Sequence, residues 1–170
     1  MKATAKALLC ILFSTVLLLS SCATGQVPSV QEAIGALCAS EHPLPAGRLY
    51  LRHISNDPKA HTLSDRLLAE LFGAGTLPPE TDLLQDAALY LSYAEPIEYT
   101  VFLCKSRNDT LALVRLCQKR LDHLRQPYSS SDSEMPASLQ HATVSVRGRW
   151  VILCISSDPD TAIRAFRRLF

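Results

Sequence analysis

The chain has 170 residues, with 17 Lys and Arg against 16 Asp and Glu, and 48% of its residues are hydrophobic. This length suits one domain, because domains most often contain about 100 to 150 residues. The near balance of charge excludes the basic surface that nucleic-acid binding requires, and the hydrophobic fraction excludes a mainly disordered chain. We therefore expect one folded domain and no nucleic-acid partner.

The first 21 residues have the pattern of an export signal. Lys2 and Lys6 precede an apolar run over residues 7–19, and the first acidic residue of the chain is Glu32. The run is about 13 residues long, whereas a helix that crosses a membrane needs about 20. We therefore interpret residues 1–21 as a signal peptide that is removed, and not as a permanent membrane span.

Cys22 stands where the apolar run ends, in the sequence Leu19-Ser20-Ser21-Cys22. This sequence resembles the lipobox of bacterial lipoproteins, in which the cysteine sulfur carries a diacylglyceryl group and becomes the mature N-terminus. The resemblance implies a lipid anchor at Cys22 and a position on the extracytoplasmic face of the cell membrane. Residues 23–28 lack periodicity, so we interpret residues 22–28 as a tether between the lipid and the domain. Ordinary cleavage after Ala23 is the alternative, since the neighbouring residues are small, and it predicts a soluble secreted product.

The tether is followed by two predicted helices with a strand between them. Ser29 and Glu32 have the spacing of a capping box, and apolar residues behind them recur at helical spacing. Residues 47–54 are compatible with a strand. The second helix begins after Ser64, which can cap it, and ends at Gly73, which suits a left-handed stop.

Two stretches in the C-terminal half look alike: residues 101–106 (VFLCKS) and 151–156 (VILCIS). Each is preceded by an alternating segment and a turn, and each is followed by an amphipathic helix, which suggests a strand-strand-helix unit used twice. We expect Pro127 to end the first of these helices and Asp158 to begin the second.

Residues 29–170 are therefore predicted to form a single α+β domain. Its sheet would have four strands, mainly antiparallel and built from the two strand-strand-helix units, with the helices packed on one face and the N-terminal helices completing that layer.

The segment from about Leu63 to Phe170 resembles an uncharacterised family of bacterial lipoproteins, the domain of unknown function numbered 4358. The features behind the resemblance are the lipobox, a leucine-rich helix, a strand, a second helix, a loop and a final segment with a short core, in this order. They are Cys22, Phe72-Gly73, the strand of residues 98–102, Lys119-Arg120-Leu121, Tyr128, Pro136 and the Gly148-Arg149-Trp150-Val151 core of residues 142–156. The resemblance implies membrane anchoring and an α+β domain, and it implies no activity.

Four cysteines remain in the mature domain: Cys38, Cys104, Cys117 and Cys154. None forms a C-x-x-C pair, which argues against zinc and thioredoxin-type redox sites. All four lie on apolar stripes, as small buried hydrophobic residues do. If the two similar strands pair antiparallel at their centres, Cys104 and Cys154 lie at opposite ends, so we expect free thiols.

No other constellation indicates a reaction, a metal or a cofactor. The five histidines are scattered without metal-ligand spacing, and no common hydrolase or phosphate-binding motif is present. Glu95 and Glu98 are close enough for a carboxylate pair, but beside a turn we interpret them as a solvated rim. We expect Tyr99 and Trp150 to be core residues.

Residues 127–140 are predicted to form a surface loop, rich in serine and long enough to have a function. Tyr128 and Met135 stand among its polar residues, and we interpret them as candidate contacts for a protein partner at the cell envelope. The sequence thus favours a membrane-anchored interaction or binding module. The alternative is a small ligand-binding or hydrolytic lipoprotein whose site is assembled from dispersed residues.

Overall fold

A six-stranded sheet with helices on both faces organises the protein. The structure, a computed structural model, describes residues 27–53, 59–129 and 133–170. The helices are α1 (Val30–Ala39), α2 (Asp65–Phe72), α3 (Thr110–Ser129), α4 (Ala137–Gln140) and α5 (Pro159–Arg167). The strands are β1 (Gly47–Leu51), β2 (Ala60–Thr62), β3 (Leu84–Ser92), β4 (Glu98–Cys104), β5 (Thr143–Arg147) and β6 (Trp150–Ile155). Short 3₁₀ turns at Pro79–Leu83 and Arg107–Asp109 precede β3 and α3.

The strand order is β2-β1-β3-β4-β6-β5, and the β1–β2 pair alone among these is parallel. The α+β class is therefore confirmed, whereas the prediction of a four-stranded sheet is wrong. The two predicted hairpins are present as β3–β4 and β5–β6, but β1 and β2 extend the sheet beyond β3. Only three residues form β2, and β1 is mostly half-buried, so neither gives the strong alternation that marks a strand in sequence.

Helices cover both faces of the sheet, so the prediction that they pack on one face is also wrong. On one face α1 and α5 enclose an apolar cluster with Tyr99, Val101 and Trp150, and on the other α2, α3 and α4 enclose a cluster with Phe102 and Val151. The register explains this arrangement, because Val101 lies opposite Ile152 and Phe102 opposite Val151. Residues that pair across two strands lie on the same face of the sheet, so the equivalent residues Val101 and Val151 lie on opposite faces. The helix that follows each similar stretch therefore packs on a different face.

The two central strands are buried along their whole length, since every residue of β4 and β6 is enclosed. Tyr99 and Trp150 are core residues, as predicted. Tyr99 lies opposite Cys154, while Cys104 lies beside Arg149 at the other end of the pair. The cysteines of the similar stretches are thus separated as expected, and the four described thiols are free.

The predicted helix starts are confirmed by their caps. Ser29 and Glu32 form the capping box of α1, Ser64 caps α2, and Asp158 caps α5. The predicted stop of α2 is wrong in detail, because Gly73 has a φ of −127°. A Cβ atom there would lie 1.7 Å from the carbonyl oxygen of Thr76, so the close approach of the chain requires this glycine. 

The left-handed conformation after α2 belongs instead to Ala74 and Gly75, whose φ angles are 50° and 94°. Pro127 does not end α3, which continues to Ser129. A proline removes one helical hydrogen bond and crowds the carbonyl four residues earlier, but Pro127 lies in the last turn, where α3 continues for only two more residues. The predicted surface loop of residues 127–140 is therefore shorter, because α3 and α4 occupy its two ends.

A buried ion pair joins β4 to α3. The Nε and Nη2 atoms of Arg120 donate to Oε2 of Glu98 at 3.2 and 2.9 Å, and the Thr100 hydroxyl donates to Oε1. Arg120 also donates to the carbonyl oxygen of Leu71 in α2. The two charged side chains are 11% and 4% exposed, so the interpretation of Glu98 as part of a solvated rim is wrong.

The last helix has a buried and an exposed side. Phe166 is 1% exposed and packs edge-on against Trp150, with 6.0 Å between ring centroids, whereas Arg167 is exposed. Phe170, which follows α5, is 46% exposed.

We predict that Phe166→Ala lowers the free energy of unfolding by about 3 to 5 kcal/mol, because the truncation loses transfer energy and leaves a cavity. Arg167→Ala, on the exposed side of the same helix, should change it by no more than about 0.5 kcal/mol. Urea melts of both variants measure the difference. Equal midpoints would contradict the orientation of α5.

We also predict that Arg120→Met destabilises the protein by about 3 to 5 kcal/mol, because the carboxylate of Glu98 is then buried without its partner. The matched control is Arg66→Met, which breaks the exposed Arg66–Glu70 pair at 3.0 Å and should cost less than about 1 kcal/mol. A double variant, Glu98→Leu with Arg120→Met, should recover part of the loss, since no charge is then left unpaired. Similar urea midpoints for the two single variants would show that the buried pair is unimportant.

Candidate functional site

An open cleft of about 530 Å³ lies at one end of the sheet. Its walls are the segment after α1 (residues 41–45), the β3–β4 turn (residues 95–97), the start of α4 (residues 136–138) and Ser157 after β6. We call it the Glu41 cleft. Prolines occur in three of these four walls, so much of its rim has a fixed backbone φ.

The carboxylate of Glu41 is held by two hydroxyl groups. The phenol of Tyr99 donates to its Oε2 at 2.6 Å, and Ser157 donates to its Oε1 at 3.1 Å. Burial, together with the hydrogen bond to Glu41, raises the pKa of Tyr99, which therefore stays a protonated donor at neutral pH. Each carboxylate oxygen keeps a further lone pair, so the fixed Glu41 can accept additional hydrogen bonds.

The acidic groups of the Glu41 cleft outnumber its bases. Glu41 and Glu95 line it together with His42, and its lining contains no Lys or Arg. Two carboxylates in a concave surface focus a negative potential, which attracts cations. The cleft is therefore electrostatically suited to a positively charged group.

Ser138, at the start of α4, adds a hydroxyl group to the lining of the cleft, and the residue as a whole is 9% exposed. Its oxygen is open to solvent, because among the described residues the enclosed side-chain atom without a partner is Nη1 of Arg52. Water can therefore satisfy this hydroxyl, which has one donor and one acceptor function.

Sequence reasoning noticed Glu95 and missed Glu41, Ser138 and Ser157. Glu41 is separated from Tyr99 by 58 positions and from Ser157 by 116. No local motif contains such a set, because the topology of the sheet alone brings these segments to one edge.

A second group of interest is a histidine-carboxylate pair at the other side of the domain. Nδ1 of His53 lies 2.8 Å from Oδ1 of Asp86, and His53 is largely exposed. Ser29 lines the same groove, but its hydroxyl is engaged with Glu32 in the capping box of α1. The pair therefore has the arrangement of a general base. Among the described residues, no free nucleophile lies beside it.

The cysteines are unsuited to nucleophilic chemistry. Burial raises the pKa of Cys38 and of Cys154 to about 12, and that of Cys104 to about 11. It raises the pKa of the fully enclosed Cys117 as well. Thiolates are the reactive form, so these thiols act as small apolar packing groups.

Tyr128 and Met135, the candidate partner contacts, are both half-buried. They pack at the border of the apolar cluster beneath α3. Arg125 joins α3 to α4 in this region, because its Nε and Nη2 atoms donate to the carbonyl oxygen of Leu139 at 3.0 and 2.7 Å. Met135 directly precedes Pro136, which belongs to the wall of the Glu41 cleft, so the two candidate surfaces adjoin along the chain.

Cys22, the predicted lipidation site, lies outside the described residues, as do the signal peptide and most of the tether. Within the described ranges, no helix combines the length and the hydrophobicity that crossing a bilayer requires. No three His, Cys, Asp or Glu side chains come together in the manner of a metal site in that same part of the chain.

Comparison of the chain with family models, with curated proteins and with solved structures finds no significant match in any of the three. The resemblance to the lipoprotein family therefore stays a prediction.

Proposed function

We propose that the protein is a lipoprotein, anchored through Cys22 to the extracytoplasmic face of the cell membrane, that binds a protein partner at the cell surface. The observation on which the binding role depends is the Glu41 cleft. It is an open surface where the carboxylate of Glu41 is held in place by Tyr99 and Ser157. Polar groups that are fixed before binding lose little entropy when a ligand arrives.

The anchoring role is supported by the sequence Leu19-Ser20-Ser21-Cys22 at the end of the apolar run. Two acyl chains on one cysteine give stable membrane attachment where a single chain gives only reversible binding. The tether before Val30 would hold the domain near the membrane surface with some freedom to reach a partner.

The His53–Asp86 pair is the observation that favours the second candidate function, a small ligand-binding or hydrolytic lipoprotein. A carboxylate that orients an imidazole is a common arrangement for a general base. A hydrolytic activity that survives Asp86→Asn unchanged would exclude this pair as its base.

We predict that Cys22→Ser releases the protein from membranes or halts its processing, because the sulfur is the attachment atom. The measurement is detergent-phase partitioning of the chain after growth with labelled palmitate. The wild type should be labelled and enter the detergent phase, whereas the variant should remain unlabelled. Cys38→Ser, which replaces a cysteine of the folded domain, is the control and should keep the label. An unlabelled wild type in the aqueous phase would contradict the lipoprotein proposal.

We further predict that replacing Tyr128 and Met135 together with serine abolishes capture of a protein partner by crosslinking in membranes. Both side chains also pack at the border of the apolar cluster, so the same change should lower the free energy of unfolding by about 1 kcal/mol or more. Leu111→Ser is the control, because Leu111 is 58% exposed elsewhere on α3. A double variant that melts lower but keeps every partner would show that the two residues only cap the sheet.

A further inference from the structure

A group of basic side chains lies at the end of the sheet where β4 and β5 finish, opposite the Glu41 cleft. Its members come from the segment after β4 and from the β5–β6 turn, and they are Lys105, Arg107, Arg147 and Arg149. Nη1 of Arg149 donates to the carbonyl oxygen of Lys105 at 3.4 Å. A Cβ atom on Gly148, in the turn, would lie 3.9 Å from Nη2 of Arg107. We call these four residues the basic cluster.

The charge of the basic cluster is not neutralised within the described part of the chain, where none of its four members forms an ion pair. Lys105 donates to the backbone carbonyl oxygen of Asp82 at 2.6 Å and not to its carboxylate. Two neighbouring acids are engaged elsewhere, since Asp86 pairs with a histidine and Asp109 accepts a backbone N–H in the turn before α3. The cluster therefore produces a local positive potential on a chain that is nearly neutral overall.

Exposed apolar side chains accompany the basic cluster. Val27 is 64% exposed and lines a groove together with Arg149. Val146, just before the β5–β6 turn, and Phe170 are each 46% exposed, and the guanidinium carbon of Arg147 lies 4.7 Å from the centroid of the Phe170 ring. Cations beside exposed apolar groups suit the boundary between lipid headgroups and acyl chains, because both contribute to binding there.

The described domain also begins at this end, with Val27 in the groove beside Arg149. Five residue steps separate Val27 from Cys22, and five steps of chain span at most about 18 Å in any conformation. A lipid on Cys22 thus keeps the basic cluster close to the headgroups, whose field at about 0.1 M salt extends roughly 10 Å. The end of the sheet that carries the Glu41 cleft is the far end.

We propose that the basic cluster docks on the anionic headgroups of the membrane in which Cys22 is anchored. This inference rests on the proposed function, because it takes Cys22 to carry the lipid. The N–H groups of lysine and arginine donate charge-assisted hydrogen bonds to phosphate oxygens, and basic residues near an anionic surface are attracted to it. Docking at this end directs the Glu41 cleft away from the membrane, where a protein partner can reach it.

The test uses the lipidated full-length protein in vesicles of phosphatidylcholine, with or without roughly one third phosphatidylglycerol. A bimane fluorophore is attached at Val146→Cys, beside the basic cluster, or at the matched control Ala94→Cys, which is exposed in the β3–β4 turn at the opposite end. Burial raises the pKa of the described native thiols, so they react slowly with the reagent. Lipids with a nitroxide on the headgroup quench a fluorophore that lies at the membrane surface.

We expect quenching at position 146 to be at least about threefold stronger in the anionic vesicles than in the neutral ones, and to weaken as NaCl is raised, because salt screens exposed charges. Quenching at position 94 should be the same in both kinds of vesicle. Equal quenching at position 146 in anionic and neutral vesicles overturns the proposal.

The charge variant is Lys105→Gln combined with Arg107→Gln, both exposed. It should lower the ratio of docked to undocked protein at least about tenfold, since two attracted charges are lost. The matched control, Arg48→Gln combined with Arg66→Gln, removes equal charge from exposed residues outside the cluster and should dock as the wild type does. A thermal melt verifies that both fold. A folded Lys105→Gln, Arg107→Gln protein with wild-type quenching overturns the proposal.

Further outcomes separate this inference from the proposed function. If the palmitate experiment labels the wild type but position 146 is not quenched in anionic vesicles, the lipid anchor stands and the docking is overturned. An unlabelled wild type in the aqueous phase overturns both. If Lys105→Gln with Arg107→Gln abolishes capture of a crosslinked partner and leaves the quenching unchanged, the cluster binds a protein and the docking is overturned. Quenching that is lost in this variant while the partner is still captured supports docking on the membrane.

Discussion

The buried pair of Glu98 and Arg120 is the interaction on which the arrangement of the domain depends. A carboxylate enclosed at the start of β4 must be paired, because an isolated charge in a low-dielectric interior is costly. Arg120 provides the partner from α3 and at the same time donates to the carbonyl oxygen of Leu71 in α2. One guanidinium group therefore fixes the positions of two helices relative to the sheet. Apolar packing alone would stabilise that face without specifying where along the sheet the helices lie.

The second constraint is that the central strands are buried on both faces. With β4 and β6 enclosed completely, each face needs its own helical cover, and α1 with α5 supplies one while α2 and α3 supply the other. Polar side chains on these strands must find partners: Glu98 pairs with the buried Arg120, and Tyr99, on the opposite face, donates to Glu41 at the edge of the core. The same enclosure raises the pKa of the Cys104 and Cys154 thiols, which removes them from chemistry and leaves them as core residues.

The Glu41 cleft is a consequence of this burial at one end of the sheet. Tyr99 is enclosed in the core, yet its hydroxyl reaches Glu41 on the segment after α1, so the rigid strand positions a surface carboxylate. Ser157 and the start of α4 arrive from the other end of the chain. A cleft made by loops on a rigid scaffold is the usual location of a binding surface. Its carboxylates and its proline-containing walls are the physical basis of the function that we propose.

Local patterns determined most of the elements of this protein, and only the tertiary structure decided their assembly. The capping box of Ser29, the caps of Ser64 and Asp158 and both hairpins could be predicted from sequence, because each depends on residues a few positions apart. The number of strands and the two-sided helical cover could not, since pairing register decides which face a residue takes. Glu98 was misjudged for the same reason: its partner lies 22 positions away on a helix whose placement the sequence does not specify. The Glu41 cleft was missed entirely, because its residues come from four distant segments that have no shared local pattern and meet only when the sheet has formed.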